Sequence, residues 1–146
     1  MSDLEKPIVV EQVYQASVDA VWAAITEVDQ MRQWYFEIEA FQPELGFQTE
    51  FDVQVEDRNF PHVWKVTEVI PSQKIAYNWN YRGYPGDSFV TFELSEEGAG
   101  TKLKLTHEVT ESFPQDIPEF KRESGVAGWN YFICERLKEF LEKGTV

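Results

Sequence analysis

Cysteine is nearly absent from this 146-residue chain: Cys134 stands alone, so no intrachain disulfide can form and a cluster of thiolate metal ligands is excluded. A reducing, cytoplasmic setting is therefore expected. Histidine is almost as scarce. His62 and His107 lie far apart with no acidic partner at ligand spacing, so no metal site is expected. Basic residues are few, 13 Lys and Arg against 26 Asp and Glu, for a formal net charge of −13. Phosphate binding needs a clustered basic surface, so a nucleic-acid partner is excluded. No apolar run is long enough for a membrane span. Met1–Pro7 lacks the basic and apolar regions of a signal peptide, and Lys143–Val146 carries no prenylation box. Phosphate-cradling loops of the GxGxxG or GxxxxGKS/T type are missing. Neither Ser124 nor Cys134 has triad spacing to a base, so no catalytic residue is assigned and no cofactor is expected.

Aromatic residues are what the chain has in abundance: five Trp, six Tyr and eleven Phe, 15% of the sequence. Intrinsic disorder is excluded by that content. A chain of this length forms one domain, spanning residues 1–146, and buries roughly 68–70% of its unfolded surface.

The hydrophobic pattern changes period along the chain. Ile8 to Ala16 reads as a strand and Ser17 as the cap of a helix whose stripe is Val18, Val21, Trp22, Ile25 and Val28. Asp29 is placed to cap a second short helix, from Gln30 to about Tyr35. From Phe47 the period becomes two. Strands are expected at 47–55, 62–70, 73–82, 87–95 and 101–109, with turns between them and a hairpin connection over Asp57–Pro61. A last amphipathic helix, about Glu119 to Lys143 and ended by Gly144, carries Val126, Trp129, Ile133, Leu137, Phe140 and Leu141. The expected architecture is α+β: a six-stranded curved antiparallel sheet wrapped around a long C-terminal helix, with two short helices after the first strand. A sheet around one helix invites a ligand cavity between them.

Four segments resemble a known family. Ala16-Ser17-Val18-Asp19-Ala20-Val21-Trp22-Ala23-Ala24-Ile25-Thr26 is similar to its opening helix motif. Val66-Thr67-Glu68-Val69-Ile70-Pro71 with Ile75-Ala76-Tyr77-Asn78-Trp79 is similar to its central signature. Gly100-Thr101-Lys102-Leu103-Lys104-Leu105-Thr106-His107 is similar to its G-T-x-L-x-L-x-H strand, and Gly128-Trp129 followed by Leu137 to its final helix. Over about Ile8 to Leu141 the chain resembles the SRPBCC (START/birch-pollen-allergen-like) superfamily, in the branch named for the activator of the 90-kDa heat-shock-protein ATPase. That resemblance implies a helix-grip fold around a deep apolar cavity, in proteins that range from lipid and polyketide binders to cyclases and co-chaperone domains. Many members carry a glycine-bearing hairpin where this chain has Asn59-Phe60-Pro61 and Trp64, which are expected to narrow the mouth or fill part of the cavity.

The candidate ligand-binding residues are Trp34, Phe51, Trp64, Tyr77, Trp79, Tyr81, Phe92, Leu105, His107 and Trp129. Indole and phenol groups offer wide apolar faces and one directional polar handle; packed as a plain core, the same rings would bind nothing. His107 falls on the apolar face of its strand, either as a polar anchor or acid/base for a ligand, or as a core histidine satisfied by its neighbours. His62, beside the hairpin, is expected on an exposed loop. Glu68 either points partly inward, where burial would raise its pKa, or is salt-bridged at the surface. The acidic runs 93–97 and 108–111 read as solvated faces, and Cys134 as a small buried apolar group.

Three functions fit these residues: binding of an apolar or aromatic small molecule such as a lipid or polyketide, a co-chaperone-like interaction with a chaperone, and a cavity enzyme such as a cyclase or hydrolase using His107. A homodimer through an edge strand or helix is a further possible partnership. In the eukaryotic activator a separate N-terminal domain does much of the stimulation. Only seven residues precede Ile8, so full activator function is not expected here.

Overall fold

A computed structural model describes residues 7–35, 38, 40–55, 58–111 and 122–143. Strand β1 (Ile8–Tyr14) leads into helices α1 (Val18–Thr26) and α2 (Val28–Trp34). Strands β2 (Gln48–Val55), β3 (Arg58–Ile70), β4 (Lys74–Tyr81), β5 (Asp87–Glu97) and β6 (Gly100–Glu111) follow as a meander. The sheet order is β1-β6-β5-β4-β3-β2, antiparallel throughout. The chain closes with α3 (Arg122–Asn130), a π-helical segment (Tyr131–Arg136) and α4 (Leu137–Lys143), consecutive parts of one C-terminal helix. The expected six-stranded helix-grip architecture is present.

Side-chain alternation assigns the faces. Thr49, Phe51, Trp64, Val66, Tyr77, Trp79, Val90, Phe92, Leu103 and Leu105 are buried on the concave face, while Glu50, Asp52, Glu93, Lys104 and Glu108 stand outside. The register places large residues opposite one another: Trp64 against Trp79, Val66 against Tyr77, Phe92 against Leu105. Within the C-terminal helix, Trp129, Ile133, Leu137 and Leu141 are buried at a strict spacing of four. An α-helix would rotate such a set by about 40° per step and carry it off the sheet. The wider π turn in the middle reverses that drift and keeps the stripe facing the strands. Tyr14 of β1 donates its hydroxyl to the Ile133 carbonyl at 2.6 Å, inside the wide turn. Arg136 reaches the Gln33 carbonyl of α2, and Glu142 accepts from the Gln15 backbone, so the helix is tied at several points.

Some boundaries differ from the sequence reading. Ser17 caps α1 as expected, its hydroxyl oxygen accepting from Ala20 N–H. Val28 begins α2 rather than ending α1, Glu27 is the cap residue, and Asp29 lies in the first turn, ion-paired with Arg32. Strand β3 starts at Arg58, so Asn59, Phe60 and Pro61 belong to the strand and not to a loop. This overturns the exposed placement of His62: alternation from Phe60 through Trp64 turns its ring inward, with 5% of its surface exposed. A register shift between Val66 and Glu68 turns Glu68 outward, where it pairs with Lys74 at 3.2 Å. Cys134 is half-buried, its Sγ 3.7 Å from the Asn130 side-chain oxygen. The acidic residues of 93–97 and 108–111 are exposed as expected. The expected helix start at Glu119, the end at Gly144 and the tip of the β2–β3 hairpin lie outside the described residues.

Candidate functional site

The space between the concave face and the C-terminal helix is furnished with rings. Trp64 of β3 lies 4.7 Å from both Phe51 and Tyr77, and 5.0 Å from Trp79, measured between ring centroids. Trp129 of α3 comes down onto them, 5.5 Å from Trp79 and 6.2 Å from Phe92. Trp34 of α2 closes one side, its indole N–H donating to the Ala24 carbonyl at 2.8 Å. Of the ten sequence-assigned residues, Trp34, Phe51, Trp64, Tyr77, Trp79, Phe92, His107 and Trp129 therefore meet in one ring cluster, joined through Tyr35. Leu105 floors it beside Phe92. Tyr81 sits at its edge, 6.5 Å from Trp79, and also packs in a small group with Phe60 and Tyr84 at the end of the sheet. Trp64 itself is buried at the centre of the cluster, in contact with Tyr35, Phe51, Tyr77 and Trp79.

Four members escaped the sequence reading. Tyr35, the residue that ends α2, inserts its ring between Trp34 and Trp64 and sets its hydroxyl 3.0 Å from that of Tyr77. Phe132 stands edge-on to Tyr35 at 5.1 Å. His62 stacks on Phe51 at 4.9 Å. Ser88 is fully buried opposite Trp79. The signal for Ser88 was available: it is in phase with the inward residues Val90, Phe92 and Leu94, an odd place for a hydroxyl.

That hydroxyl completes a directed chain. Indole can only donate, so the 3.0 Å contact from Trp129 Nε1 fixes Nδ1 of His107 as an acceptor. Nε2 then carries the proton and donates to Ser88 Oγ at 2.9 Å, and Ser88 donates to the Trp79 carbonyl at 2.8 Å. Burial pushes His107 down to about 4, as expected for an imidazole whose neighbours serve its neutral form. His62, with Nδ1 2.8 Å from the Phe60 carbonyl, is likewise held down to about 4 by burial, against weaker opposing pulls from that carbonyl and from Asp52. Burial raises Tyr35 and Tyr77 well above the usual phenol range and Tyr81 to about 12. Among the described residues no Asp, Glu, Lys or Arg is buried. The site is thus apolar, polar only through neutral groups. With both ring nitrogens of His107 engaged by protein, the geometry suits the satisfied core histidine and not an acid/base.

A separate groove of about 640 Å³ opens at the other end of the sheet, between the start of α1 and the β3–β4 and β5–β6 turns. Ser17, Asp19, Ser72, Gln73 and Glu96 give it a polar lining, and none of the assigned residues borders it. Among the described residues no group of three or more His, Cys, Asp or Glu could hold a metal, and no helix is long and apolar enough to cross a membrane.

A curved sheet gripping one long helix over an apolar, ring-lined interface defines a helix-grip protein. The chain belongs to the Activator of Hsp90 ATPase homolog 1-like family, whose model matches residues 15–142. No curated protein sequence matches it. Among solved structures it is similar to DynU16, from the dynemicin biosynthetic locus, with 24% identity and a TM-score of 0.76 over 95% of this chain; it spans only 48% of that protein. CalU16 from Micromonospora echinospora is 25% identical with a TM-score of 0.69, covering 95% of this chain and 78% of the other. The Aha1 dimer from Colwellia psychrerythraea is 20% identical with a TM-score of 0.71, covering 96% and 98%. At such identities the likeness concerns the fold, which is compatible with a ligand-binding protein.

Proposed function

We propose that the protein binds an apolar or aromatic small molecule between the sheet and the C-terminal helix. The observation that carries this reading is the convergence of Trp34 from α2, Trp64 from β3, Tyr77 and Trp79 from β4, and Trp129 from α3, joined through Tyr35. Such a set exceeds what a helix needs for packing, and its polar groups are neutral, which suits a ligand that sheds little water on entry. Leu105 and Phe92 form the floor, Tyr81 the edge, and His107 holds Trp129 in place. Native mass spectrometry of freshly purified protein and a thermal-shift screen with fatty acids and polycyclic aromatics test it. A co-purifying mass or a shift with one ligand class is expected; absence of both overturns it.

The family match supports a second reading, a co-chaperone-like interaction domain. An exposed surface of strongly acidic charge would seek a basic patch on the chaperone. Pull-down with the cognate chaperone at low and moderate salt separates the two, since retention that weakens with salt is expected only for the second.

A further inference from the structure

Tyr35 is held differently from the rings around it. Its ring lies 4.5 Å from Trp34 at an interplanar angle of 8°, and 5.4 Å from Trp64 at 28°, so it fills a slot one ring thick between two indoles. Phe132 and Trp129 border the slot at 5.1 and 6.0 Å. The Tyr77 hydroxyl meets the Tyr35 hydroxyl at 3.0 Å. Trp34 belongs to α2 and is anchored to the Ala24 carbonyl, and Trp64 sits in the middle of β3. Tyr35 instead follows the last residue of α2, with φ −118° and ψ −135°, outside helical geometry. At 8% exposure it is the outermost of the four, against 0% for Trp34 and 1% for Trp64 and Tyr77. The ring of Tyr35 thus enters the slot from a residue outside regular structure, while both indole walls belong to regular elements.

We propose that Tyr35 is a resident stand-in for the ligand: a bound aromatic ring takes its place between Trp34 and Trp64, and an oxygen on that ring takes the place of its hydroxyl at Tyr77. The proposal rests on the sheet–helix binding reading above and narrows it to a ligand class. The slot accepts a flat aryl group, since its two walls are nearly parallel to the ring now between them. The Tyr77 hydroxyl can donate or accept, so a phenol or an aryl ketone completes the contact equally well. A carboxylate or phosphate does not fit, because no charged side chain is buried among the described residues to meet it. A tethered occupant also lowers the observed affinity, because only molecules with the slot vacated can bind.

The test uses 2-naphthol, a flat neutral phenol, and naphthalene, which lacks the oxygen, with affinities measured by calorimetry. Tyr35→Ala is expected to bind 2-naphthol about tenfold or more tighter than the wild type, since the competing ring is gone. Adding Tyr77→Phe is expected to remove most of that gain for 2-naphthol and none of it for naphthalene. Tyr35→Leu serves as the second variant if the alanine protein does not fold. On the wild type itself, fluorine NMR of 3-fluorotyrosine-labelled protein, with the Tyr35 resonance assigned through Tyr35→Phe, is expected to show that resonance moving to a solvent-exposed shift on saturation with 2-naphthol. Equal affinity for wild type and variant, or a Tyr35 resonance that stays put while 2-naphthol quenches the tryptophans, overturns the stand-in role and leaves the binding site standing. Binding to none of the folded proteins overturns both.

Discussion

The indole N–H of Trp129 donates to Nδ1 of His107 across 3.0 Å, and this contact between helix and sheet decides the state of a buried imidazole. Protonating Nδ1 would set two N–H groups against each other. Both histidines are held down to about 4, below the ordinary value of 6.5. Between those values the unfolded chain takes up protons that the folded chain refuses, so their contribution to stability is complete above about 6.5 and falls as pH drops toward 4. For His107 the depression corresponds to about 3 kcal/mol. Urea unfolding at a series of pH values between about 7 and 5 is expected to show stability declining with acid, and His107→Gln to flatten that decline. An unchanged slope in the variant would mean that His107 titrates normally.

Ser88 is the next link, and its loss has two consequences. Ser88→Ala removes the acceptor for His107 Nε2–H and the donor to the Trp79 carbonyl. A buried donor left without its partner costs about 1–3 kcal/mol, much more than the small change in volume would. Chemical denaturation checks the size. His107 provides the control: if the double variant Ser88→Ala, His107→Leu is no less stable than His107→Leu alone, the cost arises through this chain.

The fold was legible because period-two and helical patterns each mark an inward face, and motif order joined them. Phe51, Trp64, Tyr77, Trp79 and Phe92 follow from alternation alone. His62 was misplaced because Pro61 reads as a strand breaker. Here Pro61 sits within β3, opposite Asp52, with its carbonyl accepting from Arg82 N–H, so the strand passes through it. Tyr35 was missed for another reason: it stands where a helix ends, and no periodicity states where the next residue points. The ring contacts across α2, β3 and α3 depend on tertiary packing that a linear pattern does not contain.

The β5–β6 turn makes a prediction about backbone approach. Gly98 has φ +58° and starts the turn, while a Cβ on Gly100 would collide with the Tyr14 carbonyl oxygen of the neighbouring strand. That neighbour is backbone and cannot swing aside. Gly100→Ala is expected to destabilise by about 2–4 kcal/mol, within the range of strained core substitutions. Thermal melting reads this directly, and a loss below about 0.5 kcal/mol, the scale of a neutral surface change, would show that β1 yields.

Tyr14 also ties this end of β1 to the π turn, and its hydroxyl is the group that meets the Ile133 carbonyl at 2.6 Å. Tyr14→Phe keeps the ring and removes that donor, so a stability loss of about 1–2 kcal/mol is expected. Loss of stability alone would say nothing about the turn. If the hydroxyl holds the helix in its wide geometry, removing it lets residues 131–136 relax toward α-helix and rotates Trp129 away from His107. Amide exchange in 131–138 is then expected to quicken while α1 keeps its rates, and the pH dependence assigned to His107 to weaken in the same variant. A protein that melts earlier yet keeps local exchange rates and the full pH slope would show that packing, and not Tyr14, sets the turn. The spacing of four from Trp129 to Leu141 would then be sufficient by itself.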